Sequence, residues 1–226
     1  MTPEMIPLRD NIPANSRPVV TYLLIVANVW VFLHQVSLGP GIEAFVYRYG
    51  LVPRRFVAGA VGPLFTSMFL HGGWAHLIGN MLYLHIFGDN VEDRLGHLRY
   101  LLMYFVAGVS AGLAQVVIDP TSPLPMVGAS GAIAGVTGAY FLLFPHARVV
   151  TLVPIFVFVQ LVEVPAFFFL LFWFLFQLML GVGSLGGGHV GGVAFWAHIG
   201  GFMAGMLIGP AFARRRRTVR MRWSPL

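Results

Sequence analysis

Apolar positions run along this chain in six long stretches, at about 19–37, 74–91, 98–118, 130–145, 162–182 and 193–213, and most of the charged residues and prolines fall between them. A helix that crosses a bilayer needs roughly 20 consecutive, mostly apolar residues. The pattern therefore predicts an all-α polytopic membrane protein with six transmembrane helices. Its fourth stretch is short and follows Pro123, Pro125 and Gly128. Irregular backbone at membrane depth is tolerated only where it is buried in protein or lines a cavity, so this segment is expected to dip inward before a helix that starts below the surface. No internal repeat or separate soluble domain is apparent. The organisation expected is a flexible leader over 1–18, a membrane domain over 19–213 and a basic tail over 214–226.

Composition agrees with that reading and narrows it. Apolar residues make up 58% of the 226 positions and charged residues 10%, against roughly 45–50% and 25% in soluble domains. A soluble fold with this composition would have no polar exterior, so lipid must act as part of the solvent. All 14 basic residues are Arg and the formal charge is +6. Six of them follow Ala213 in a tail behind an apolar stretch, which is the pattern of a membrane anchor and not of a nucleic-acid reader. Sorting Arg by loop leaves 11 on the side shared by both ends, and three, Arg48, Arg54 and Arg55, on the other. The positive-inside rule then sets both termini in the cytoplasm. Those three lie among Phe45, Tyr47, Tyr49 and Phe56, a mixture suited to the membrane interface. Arg17 precedes the first stretch, which has no small-x-small cleavage site and is read as a retained span rather than a signal peptide. Arg in place of every Lys fits a GC-rich bacterial genome, hence a plasma-membrane location. With no cysteine, disulfides and thiol catalysis are excluded.

The candidate chemistry lies in polar residues that are costly at membrane depth. One cluster is His71-Gly-Gly-Trp-Ala-His76-Leu-Ile-Gly-Asn80, where His76 and Asn80 share a helical face and His71 stays in the loop before it. A second is Gly128-Ala-Ser130-Gly131, opening the fourth stretch, and a third is Ala197-His198 in the last. Ser130 on its own reads as a helix N-cap. Gly131-Ala-Ile-Ala-Gly135 and Gly201-Phe-Met-Ala-Gly205 fit the small-xxx-small pattern of closely packed membrane helices, which needs no catalysis. His198, however, lies three before Gly201 and seven before Gly205, on the face that presses against a neighbour. If that neighbour is the Gly-lined fourth helix, the imidazole reaches the Ser130 hydroxyl.

Such a pair has a use. Serine is a weak nucleophile until a base within hydrogen-bond reach takes its proton, and the imidazole can later return that proton to the leaving amine. The oxyanion formed needs donors. Free N–H groups at the start of the fourth helix, with His76 and Asn80, are expected to supply them. Gly181–Gly192 is a candidate mobile cover.

At these residues the chain resembles the rhomboid intramembrane serine proteases, over about residues 20–210. The resemblance is carried by the order of four motifs: His71 to Asn80, Glu92-Asp-Arg94 with Gly96, Gly128 to Gly131, and Ala197-His198 with Gly201 and Gly205. It implies a six-helix rhomboid-like bundle, a Ser130–His198 dyad without a third member, no cofactor, and an oxyanion site using His76 and Asn80, with Gly128 and His71 in support. It further implies single-span membrane proteins as substrates, cut where their helix unwinds easily and a small residue fills the pocket. Glu92 and Arg94 match a structural position that closes a helix end. One position departs: well-known members carry an aromatic four residues after the serine, stacked on the imidazole, and here that position is Ala134. Trp196 and Tyr140 are the candidate substitutes.

Three other readings remain at this stage. Intramembrane His and Asn can mark a transporter or channel, but Glu163 is the only acidic residue after Asp119. His71, His76, His85, His189 and His198 invite a metal, but no HExxH pair is present. A catalytically inactive relative that binds membrane helices is separated from a protease only by activity.

Overall fold

The computed structural model describes residues 6–155, 158–185 and 193–213. Along them run β1 (Ile6–Asp10), α1 (Val19–Ser37), α2 (Ile42–Tyr49), α3 (Pro53–Val57), α4 (Pro63–Thr66), α5 (Trp74–Leu95), α6 (His97–Ile118), α7 (Ser130–Leu143), β2 (Arg148–Ile155), β3 (Phe158–Pro165), α8 (Ala166–Ser184) and α9 (Phe195–Phe212). Six of the helices, α1, α5, α6, α7, α8 and α9, coincide with the six apolar stretches. Among the described residues four are long and apolar enough to cross a membrane, namely α1, α6, α8 and α9. The 14-residue α7 is shorter, and α5 is long but carries Asp89, Glu92, Asp93 and Arg94. Outward faces are apolar: Trp30 is 70% exposed, Val117 76% and Leu207 74%. In water such surfaces would be an aggregation liability; in lipid they are solvated.

The described residues are mostly helical, as the all-α reading expects, with one small sheet beside the helices. β1, β2 and β3 form an antiparallel sheet in that order. Residues 6–10, inside the stretch read as a flexible leader, pair with β2 from Ile6 opposite Leu152 to Asp10 opposite Val149. The fifth helix accordingly starts at Ala166 and not at 162, because residues 162–165 belong to β3. The density of Val and Thr in Arg148-Val-Val-Thr-Leu-Val favours a pleated strand over a helix, since branching at Cβ restricts χ1 against a helical turn.

The centre of the bundle is α7, which is buried from Gly131 to Tyr140. Its most extensive contact is with α9, and glycine makes it possible. A Cβ at Gly201 would fall 2.0 Å from the Gly131 carbonyl oxygen, and one at Gly205 1.8 Å from that of Gly135. The two backbones thus touch, as the two small-residue motifs predicted. The far end of the bundle is closed by Glu92, whose carboxyl accepts from Val20 N and Thr21 N (2.8 Å each) and Thr21 Oγ1 (2.7 Å), and lies 2.5 Å from His97 Nδ1. Glu92 therefore caps the first turn of α1 from another helix, satisfying N–H groups that no intrahelical carbonyl reaches. Arg94 sits half-buried in the last turn of α5.

Candidate active site

α5, α7 and α9 all begin at the end of the bundle opposite Glu92, and each brings a polar side chain to that end within its first turns. A cavity of about 1090 Å³ opens there, lined by His76, Asn80, Gln115, Gly128, Ser130 and His198 among others. Ser130 is the first residue of α7, one past the cap position held by Ala129, so it is not the N-cap. Instead its hydroxyl lies 2.9 Å from His198 Nε2. The backbone contact between α7 and α9 sets this distance, because Ser130 directly precedes Gly131 and His198 lies one helical turn before Gly201, the two glycines that touch.

His76 lines the same cavity. Gly72 N–H donates to its Nδ1 at 3.3 Å, so the neutral ring carries its proton on Nε2, the edge that lies against Gly128. Gly128 has φ +127°, and a Cβ there would come within 2.8 Å of His76 Cε1 and Nε2. Only glycine combines that backbone angle with so close a ring. Asn80 is buried, and its Nδ2 has no partner among the described residues. Buried donors are nearly always satisfied, so this amide is open to a partner that enters the cavity. Together these residues present a hydroxyl, a base and two side-chain donors around one space.

His71 takes a different place from its expected companions. It is fully buried outside the cavity wall, edge-on to Phe32 and 5.2 Å from the His76 ring. Gln35 of α1 clamps its backbone at both groups, with Nε2 donating to His71 O (2.7 Å) and Oε1 accepting from His71 N (3.2 Å). The turn into α5, and with it His76, is thereby fixed by a helix far away in sequence.

The two aromatic substitutes proposed for the position of Ala134 both lie elsewhere. Tyr140 donates its hydroxyl to Asp10 Oδ2 and packs edge-on against Phe87; Trp196 donates its indole N–H to Gly181 O at 3.1 Å. The ring beside His198 is Trp173 of α8, at 5.9 Å between centroids and tilted by 36°. One helical turn on, Gln177 places Oε1 2.9 Å from His198 Nδ1. Neither residue was singled out in the sequence, although a Gln inside an apolar run and four residues from a Trp is the signal that marks them. Among the described residues no cluster of three or more His, Cys, Asp or Glu is arranged to hold a metal. His189 and residues 186–192 of the candidate cover lie outside the described residues, as does the tail 214–226.

A Rhomboid domain family model matches residues 58–215, well over half of the chain. The chain belongs to the rhomboid family. It is 37% identical over 127 residues to the rhomboid protease GluP of Bacillus subtilis, covering 55% of this chain and 24% of that protein. It is 31% identical over 196 residues to the mitochondrial rhomboid protein 1 of Saccharomyces cerevisiae, covering 84% and 52%. A putative rhomboid protease of Bacillus subtilis, YdcA, is 34% identical over 128 residues, covering 54% and 61%. The alignments thus span from about a quarter to three fifths of these relatives' lengths. Rhomboid membership, with four helices able to cross a bilayer, makes this an integral membrane protein.

Proposed function

We propose that this rhomboid is an intramembrane serine endopeptidase that hydrolyses peptide bonds of single-span membrane proteins, using Ser130 and His198. The observation that carries the reading is the 2.9 Å approach of Ser130 Oγ to His198 Nε2 at the wall of a cavity. Nε2 takes the hydroxyl proton as Oγ attacks the scissile carbonyl carbon, then delivers that proton to the leaving amine; water, activated by the same nitrogen, hydrolyses the acyl-enzyme. The developing oxyanion is met by His76 Nε2–H, Asn80 Nδ2–H and N–H groups at the start of α7, where the helix dipole is positive.

Depth follows from length. A 14-residue helix reaches about 21 Å, against about 30 Å for the hydrocarbon core. With the C-terminal end of α7 at the sheet side, Ser130 is set in from the opposite surface, and the cavity admits water to it. A substrate helix has its amides bonded internally, so its scissile bond becomes reachable where weak helix formers let it unwind. The arginine distribution supports six spans with both termini in the cytoplasm of a bacterial cell and a site that opens to the extracytoplasmic face.

The test is labelling by a fluorophosphonate in detergent, together with cleavage of a transmembrane reporter in liposomes. Wild type is expected to label at Ser130 and to cleave; Ser130→Ala and His198→Ala are each expected to lose cleavage by roughly a thousandfold or more with unchanged thermal unfolding. Cleavage that survives in either variant would end the assignment. No labelling of wild type would favour a helix-binding rhomboid without chemistry. Because a protonated imidazole cannot accept the serine proton, activity is also expected to fall on acidification.

A further inference from the structure

We infer that Gln177 is a positioning residue for this reaction, holding His198 in the one tautomer that can accept the serine proton. The inference rests on the protease reading above and adds a third polar group to a pair expected to work as a dyad. Its basis is the geometry of the two imidazole nitrogens. Nε2 lies 2.9 Å from Ser130 Oγ and Nδ1 lies 2.9 Å from Gln177 Oε1. For Nε2 to take a proton it must present its lone pair, which leaves the neutral ring's hydrogen on Nδ1. An acceptor at Nδ1 stabilises that arrangement; the wrong tautomer directs an N–H at the nucleophile and blocks it. The amide oxygen of Gln177 is that acceptor.

Three further observations place Gln177 behind the base and away from the substrate. It is buried, 8% exposed. Neither it nor Trp173 lines the cavity, whereas Ser130 and His198 do. Trp173 and Gln177 are four apart on α8 and therefore on one face, so the indole covers the ring while the amide fixes its edge. Once the ring becomes imidazolium during attack, Nδ1–H still donates to Oε1. The same hydrogen bond thus supports both protonation states and costs no rearrangement.

The experiment compares wild type, Gln177→Met and Gln177→Glu. Methionine keeps the length and apolar bulk without the acceptor; glutamate keeps an acceptor oxygen. Gln177→Met is expected to lose roughly 10- to 100-fold in fluorophosphonate labelling rate and in kcat on the reporter, with KM unchanged. Gln177→Glu is expected to stay within about threefold of wild type, a rescue that a purely structural role would not give. Equal labelling rates for wild type and Gln177→Met overturn the inference and leave the protease reading intact. No labelling of wild type at Ser130 overturns both. If Gln177→Met does not fold, the 15N spectrum of histidine-labelled wild type decides: a His198 signal of the Nδ1–H tautomer, identified by its loss in His198→Ala, is the expected result, and an Nε2–H tautomer overturns it.

Discussion

The two ends of the bundle both bury polar side chains, and they treat them in opposite ways. At the sheet end every oxygen of Glu92 is taken, by three donors from the start of α1 and by His97. At the cavity end Asn80 Nδ2 is buried without a partner among the described residues. A satisfied buried network fixes structure, whereas an unsatisfied one costs free energy that selection tolerates only for a purpose. Stability is therefore concentrated at one end, and the proposed chemistry at the other.

The largest effect expected from breaking this division is at Glu92. Replacing it with Ala strands Val20 N and Thr21 N and leaves the Thr21 hydroxyl only the longer contact with Tyr100 OH (3.2 Å). Loss of one partner in a buried polar set costs about 3–5 kcal/mol. Glu92→Ala is expected to unfold at a much lower temperature in detergent while the fraction still folded labels at Ser130 at the wild-type rate. A variant equally stable, or stable but slow to label, would blur the distinction between the two ends.

Asn80→Ala is the mirror experiment. Removing one donor from an oxyanion site costs roughly a hundredfold in kcat, and deleting a buried donor that has no partner relieves desolvation rather than adding to it. The expected outcome is a roughly hundredfold slower cleavage with an unfolding temperature equal to or above wild type. A stability loss as large as that of Glu92→Ala would return Asn80 to the structural class.

Much of this was legible in the sequence, and the reason differs by element. Six helices could be read because lipid enforces long apolar runs, and the contact of α7 with α9 could be read because Gly131, Gly135, Gly201 and Gly205 recur at helical spacing. That contact in turn brought Ser130 to His198. The sheet was not legible: residues 148–165 are as apolar as a span and merge with α8 in any long window, while Ile6–Asp10 is a short strand holding a proline, whose partner lies some 140 residues away in the register. The surroundings of His198 were misread for a related reason. Periodicity assigns a residue to a face of its own helix but does not say which face of α8 turns toward α9, so Trp173 and Gln177 were missed while Tyr140 and Trp196, closer in sequence to the site, were preferred.

The smallest expected effect concerns Asp10, which ties the sheet to the bundle. Its Oδ2 accepts from Tyr140 OH and from Asn90 Nδ2. Burial pushes its carboxyl above the ordinary range, and the hydrogen bonds from Tyr140 and from Ile12 N–H only partly oppose that. The folded state consequently binds a proton more readily at Asp10 than the unfolded chain does. Stability from this group is then present below the unfolded carboxyl range and declines as pH rises through the raised folded value. Thermal unfolding of wild type minus that of Asp10→Asn, followed from acid to neutral pH, is expected to decline across that window and to level off above it. A difference that grows with pH would mean that the ionised carboxylate is the form the sheet prefers, and that the sheet end is held by charge as well as by hydrogen bonds.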